Sequence, residues 1–71
     1  MDVKLDSHRI VRMQEVTERV ALKPSTIYGM VQVGKFPAPF KIIPGGRAAG
    51  WMLQDIEAWL RMRASEGVSH E

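Results

Sequence analysis

Seventy-one residues with 45% hydrophobic and 25% charged side chains describe one small globular domain, large enough to bury roughly 60% of its extended surface in a single core. The absence of cysteine excludes disulfide staples, thiolate metal sites and cysteine nucleophiles together, so packing must hold the fold. The net charge of +2 hides an uneven distribution: residues 1–18 carry −1, residues 55–71 carry −2, and residues 19–54 hold Arg19, Lys23, Lys35, Lys41 and Arg47 with no acid at all.

Such a one-signed stretch is the electrostatic footprint of a surface that meets a polyanion, although solvated lysines can also cluster by chance. No uncharged stretch approaches the about 20 apolar residues of a membrane span, and the start lacks the pattern of a signal peptide. The expectation is a cytoplasmic protein with no membrane partner. Residues 1–8 read as a flexible N-terminus, 9–64 as the folded domain and 65–71 as a flexible tail.

Chain order begins with Ile10 and Val11 as a brief extended lead-in. Met13, Val16 and Val20 then recur at i, i+3 and i+7, which predicts a helix over 13–20 with Glu15 and Arg19 paired across one turn outside. Ala21, Leu22 and Lys23 make a short turn. Pro24 suits the first position of a second helix, where its missing N–H costs nothing, and it forces Lys23 into an extended conformation. Gly34 and then Pro37 stop that helix, so it spans 24–33. Two helices joined by about 3–4 turn residues are a helix-turn-helix signature.

The second helix has an unusual face. Ile27, Met30 and Val31 form its buried stripe, which leaves Ser25, Gly29 and Gln32 opposite, flanked by Thr26 and Tyr28. Short polar side chains of this kind can approach base edges in a major groove, and glutamine can bond adenine in bidentate fashion. Tyr28 can donate to a phosphate or lie half-packed on the core edge. Gly29 costs roughly 0.8–1 kcal/mol relative to alanine in a helix interior, which close approach of the backbone to a duplex would explain. Lys23, Lys35, Lys41 and Arg47 bracket this face as phosphate contacts.

Beyond it, Phe40 and Ile42 alternate with Lys41, and Pro44-Gly45-Gly46 supplies turn chemistry, which predicts a hairpin of 40–43 with 48–51. Arg47 lies near its tip. Ile56, Trp59, Leu60 and Arg63 then trace one face of a helix over 54–64, with Glu57 and Arg61 spaced for a pair. The predicted fold is mostly α with a small β-hairpin, and Trp51, Trp59, Phe36 and Phe40 join the aliphatic stripes in one core.

Chemistry other than binding finds little footing. His8 and His70 stand in the two terminal segments, and no ligand set has metal spacing. Asp55 and Glu57, two apart on a helix, face different sides and suit a helix start better than a shared proton. Gly45-Gly46-Arg47 lacks the longer phosphate-cradling pattern. The expectation is a protein that is not an enzyme, with no cofactor, metal or small-molecule substrate.

The runs "RMQEVTERVALKPSTIYGMVQVGKFPAPFKI" and "GGRAAGWMLQDIEAWL" together resemble the AlpA family of small prophage regulators, related to the winged-helix domains of excisionases and MerR-type activators. The resemblance covers residues 9–64 and rests on "STIY" at 25–28, "GKFP" at 34–37, "GGRAAGW" at 45–51 and "DIEAWL" at 55–60 in that order. It implies a winged helix-turn-helix that binds double-stranded DNA as a transcriptional regulator or excisionase. Ser25, Thr26, Tyr28 and Gln32 would read bases, and the hairpin with Lys41 and Arg47 would be the wing. Lys23-Pro24 replaces the more usual Ser-Arg or Ser-Lys, and Gly29 stands where a longer, often basic, residue is common. Fewer direct contacts per monomer follow, which points to self-association on DNA or to an integrase partner. The rival reading is an adaptor whose basic surface meets an acidic protein.

Overall fold

The computed structural model describes residues 9–69; the readings of residues 1–8, 70 and 71 lie outside it. In chain order the elements are β1 (Ile10–Val11), α1 (Met13–Val20), α2 (Pro24–Gln32), β2 (Phe40–Lys41), β3 (Ala49–Met52) and α3 (Leu53–Ser69). Three helices thus surround a small antiparallel sheet.

That sheet has three strands in the order β1-β3-β2, one more than the expected hairpin. β1 pairs with β3 through Ile10↔Met52 and Val11↔Trp51, and β2 pairs with it through Phe40↔Gly50 and Lys41↔Ala49. The Leu53 N–H donates to the Arg9 carbonyl at 2.8 Å, continuing the β1 ladder into the start of α3. Gly50 sits between the two outer strands, and a Cβ there would stand 2.7 Å from the Val11 carbonyl oxygen. Only glycine lets β1 come this close.

α1 has the predicted bounds and ends on Ala21, whose left-handed backbone (φ 60°) sends its N–H to the Thr17 carbonyl. α2 opens on extended Lys23 with Pro24 first in the helix, as its sequence requires. It ends one residue earlier than expected. Gly34, at φ +77°, stands just past the end, and the Lys35 N–H reaches the Met30 carbonyl at 2.8 Å while the Gly34 N–H reaches Val31 at 3.1 Å. This pair of bonds is a Schellman motif, which satisfies carbonyls the helix end would leave bare.

The core is Val11, Val16, Ile27, Phe36, Trp51, Leu53 and Ile56, with Met13, Val20, Leu22, Met30, Val31, Trp59 and Leu60 packed around it. Phe36 is its hub: the ring meets Trp51 edge-on at 6.1 Å and Trp59 at 4.7 Å between centroids. Both indoles also hold the loop that carries Phe36. Trp51 Nε1 donates to the Pro37 carbonyl at 2.7 Å, and Trp59 Nε1 to the Lys35 carbonyl at 2.9 Å. Paired indole N–H groups of this kind let large rings pack without stranding a donor.

Several expectations need correction. Phe40 is 40% exposed and contributes nothing to the core, because its strand lies at the sheet edge and its side chain points away. The β2–β3 ladder is shorter than predicted, since residues 42–48 form the turn. α3 runs to Ser69, so residues 65–69 continue a helix that was expected to stop at 64. Glu57 and Arg61, spaced for a pair, do not form one; Arg63 does lie over the Trp59 ring, 6.0 Å from its centroid, as its place on that face implied, and also pairs with Glu66.

Candidate nucleic-acid interface

α2 turns Ile27 fully into the core and half-buries Met30 and Val31, which fixes its rotation about its own axis. The consequence is an outward face of Ser25, Thr26, Tyr28, Gly29 and Gln32, all exposed. Tyr28 is 55% exposed, so its hydroxyl stands clear of the core. Nothing lies within 4 Å of where a Gly29 Cβ would be, so no neighbour within the protein demands glycine there. The helix itself carries neither acid nor base.

A lysine stands beyond each end of this helix. Lys23 stands at the amino end of α2 and Lys35 just beyond its carboxyl end, both exposed. Arg47 is exposed after the β2–β3 turn. Lys41 has a partner that its sequence did not announce: Nζ donates to the Gly46 carbonyl at 3.0 Å, across the turn of its own hairpin. One of its three N–H groups thus braces the turn, and two remain for another acceptor.

Arg19, fifth of the central cations, is committed elsewhere. Its Nε and Nη2 donate to Glu15 Oε2 at 3.1 and 2.9 Å, as the four-residue spacing predicted. Arg9 also grips Glu15, with two bonds at 3.0 and 2.8 Å. The two guanidiniums, Arg9 foremost, lower the Glu15 carboxyl from 4.5 to about 2. Spacing gave no sign of the Arg9 contact, because Arg9 lies before β1, outside the helix whose periodicity pairs side chains. Arg12, exposed at the entry to α1 and in no ion pair among the described residues, is a further cation that sequence reasoning passed over.

The structure therefore gathers Ser25, Thr26, Tyr28, Gly29 and Gln32 on one helix face with Lys23 and Lys35 at its two ends. Lys41 and Arg47 stand apart on the hairpin, linked to α2 by the loop that Phe36 and the two indoles fasten. Among the described residues no three acidic or histidine side chains come together to hold a metal, and no helix is long and apolar enough to cross a membrane.

No solved structure matches the chain. Over 59 residues it is 30% identical to ORF88 of Enterobacteria phage P4, an uncharacterized protein. That alignment takes in 83% of this chain and 65% of the phage protein, so the chain spans just under two thirds of its relative's length. From Arg9 to Ala64, a stretch holding both strands of the hairpin, β1, the first two helices and most of α3, the sequence matches the family described as Prophage CP4-57 regulatory protein (AlpA), and the chain belongs to that family.

Proposed function

We propose that this chain is a sequence-specific double-stranded DNA-binding regulator of the prophage type, built as a winged helix-turn-helix. The family it belongs to is one of regulators and not of enzymes. In this reading α1 braces α2, α2 enters the major groove, and the β2–β3 hairpin is the wing. The observation that carries it is the outward face of α2: short, polar and glycine-interrupted, with no packing duty and with cations at both ends. A helix face without acids, set between Lys23 and Lys35, suits a phosphate-lined groove.

Ser25, Thr26 and Gln32 would meet base edges, while Lys23, Lys35, Lys41, Arg47 and the Tyr28 hydroxyl would meet phosphates. Four such cations would give a salt slope of about −3.6 on B-DNA, at about 0.9 for each. A single module of this size buries about 600–1,000 Å² on DNA, so specificity calls for repeated sites filled by further copies, or for an integrase alongside. Activation of transcription and direction of excision are both compatible with this surface.

The test is a nuclear magnetic resonance titration with a duplex found by footprinting DNA around the protein's own gene. The amides of Ser25 to Gln32 should shift most. Shifts confined to other segments would remove α2 from the interface. Equal binding to every duplex, together with capture by an acidic protein, would favour the adaptor reading.

A further inference from the structure

The hairpin turn presents an aliphatic side chain where a basic surface would be expected to be polar. Ile43 is 60% exposed, and Pro44, Gly45 and Arg47 beside it are exposed as well. A lone surface isoleucine needs no explanation. This one is set in a rigid mount. Pro44 holds the second position of the turn, Gly45 takes φ +80° at the third, and the Gly46 N–H closes it on the Ile43 carbonyl at 2.9 Å, the pattern of a type II turn.

Two further bonds stiffen the same loop: the Ile42 N–H to the Ala48 carbonyl at 2.9 Å, and Lys41 Nζ to the Gly46 carbonyl at 3.0 Å. Gly46 is also shaped to Ile43. A Cβ on Gly46 would stand 3.2 Å from the Ile43 carbonyl oxygen and 3.4 Å from its Cβ, so glycine keeps the isoleucine in place. Ile42, next to it, is half-buried. The core does not include Ile43, so burial does not account for the aliphatic tip.

A stiff apolar tip next to an arginine is the combination with which proteins open a minor groove: the cation follows the potential of a narrow groove, and the apolar wedge leans on a base step and bends the duplex. We propose that Ile43 is such a wedge, entering the minor groove beside the site read by α2, with Arg47 alongside and Lys41 as a positioning residue that holds the turn. The ligand is an A·T-rich step, whose minor-groove floor lacks the guanine 2-amino group that would obstruct the isoleucine. This inference rests on the DNA-binding reading above.

The experiment uses the full chain and a duplex selected from a randomised pool, with affinity by titration and bend angle by end-to-end energy transfer. The flanking A·T pairs are replaced by G·C, and separately by inosine·C, which carries the major-groove pattern of G·C and the minor-groove floor of A·T. Wild-type protein should lose about tenfold in affinity on G·C and recover it on inosine·C. Ile43→Ser should melt as wild type does, bind the A·T duplex about fivefold more weakly, bend it less, and cease to distinguish the three flanks. Lys41→Met should lower the bend angle while Lys41→Arg restores it.

Ile43→Ser that binds, bends and discriminates as wild type overturns the wedge while leaving DNA binding intact. Inosine·C that behaves as G·C overturns it too. A wild-type chain that selects no duplex overturns the DNA-binding reading, and the wedge falls with it.

Discussion

Replacing Gly50 with alanine places a methyl group 2.7 Å from the Val11 carbonyl oxygen and 3.0 Å from Ile10 Cγ2. The isoleucine can turn aside, but the carbonyl cannot. It belongs to β1, which is tied by the Val11↔Trp51 register and by the Leu53 N–H on Arg9. Ordinary contact therefore requires the two strands to part by several tenths of an ångström. Overpacking of this kind costs about 1–3 kcal/mol, offset by about 0.4–1 kcal/mol from the smaller entropy of an unfolded chain with alanine. The net loss is about 0–2.6 kcal/mol, centred at about 1.3 kcal/mol, and at about 4–8 °C per kcal/mol that centre lowers the melting temperature by about 5–10 °C. Thermal and urea melts followed by circular dichroism would measure it. Gly50→Ala at least as stable as wild type would refute the claim that β1 closes on β3 through a glycine-sized gap.

The same substitution at Gly29 should act in the opposite direction. With open space around its Cβ site, Gly29→Ala should raise stability by roughly 0.8–1 kcal/mol in a urea melt, yet weaken DNA binding by intruding between helix and groove. Arg47→Ala should lower affinity for every duplex and reduce the slope of log K against log salt by about 1, measured by fluorescence anisotropy across a salt series. Glu15 supplies a pH dependence. Its folded carboxyl is held at about 2 against 4.5, so its contribution is complete above about 4.5 and is lost as the pH falls toward about 2. Melting temperature against pH should show this decline in wild type and less of it in Glu15→Gln, and because the carboxylate is exposed the difference should be small and shrink in salt.

Helical periodicity made much of this legible. Met13, Val16 and Val20 bounded α1, and Pro24 with Gly34 bounded α2 to within a residue, because each signal is local and has one physical cause. The exposed face of α2 followed as the complement of Ile27, Met30 and Val31. Other features depend on partners distant in sequence. Two residues of β1 have no period to read, so their pairing with β3 could not be derived from Ile10 and Val11 alone. Alternation placed Phe40 on one side of a strand without saying which side met the core. Residues 65–71 read as a tail, yet α3 continues to Ser69, since a helix already anchored by Ile56 and Trp59 carries weak formers beyond them. On the hairpin, Arg47 was readable as a cation near a tip. The brace from Lys41 to Gly46 was not, because it exists only once the turn has formed.

Both tryptophans of the chain stand on either side of Phe36, and each indole nitrogen is bonded to the loop between α2 and β2. Intrinsic emission from this protein is therefore a gauge of a single joint. An event that loosens the loop breaks the indole N–H bonds, changes the surroundings of the rings and shifts the spectrum. The molecule comes with its own label at the loop that joins α2 to the hairpin.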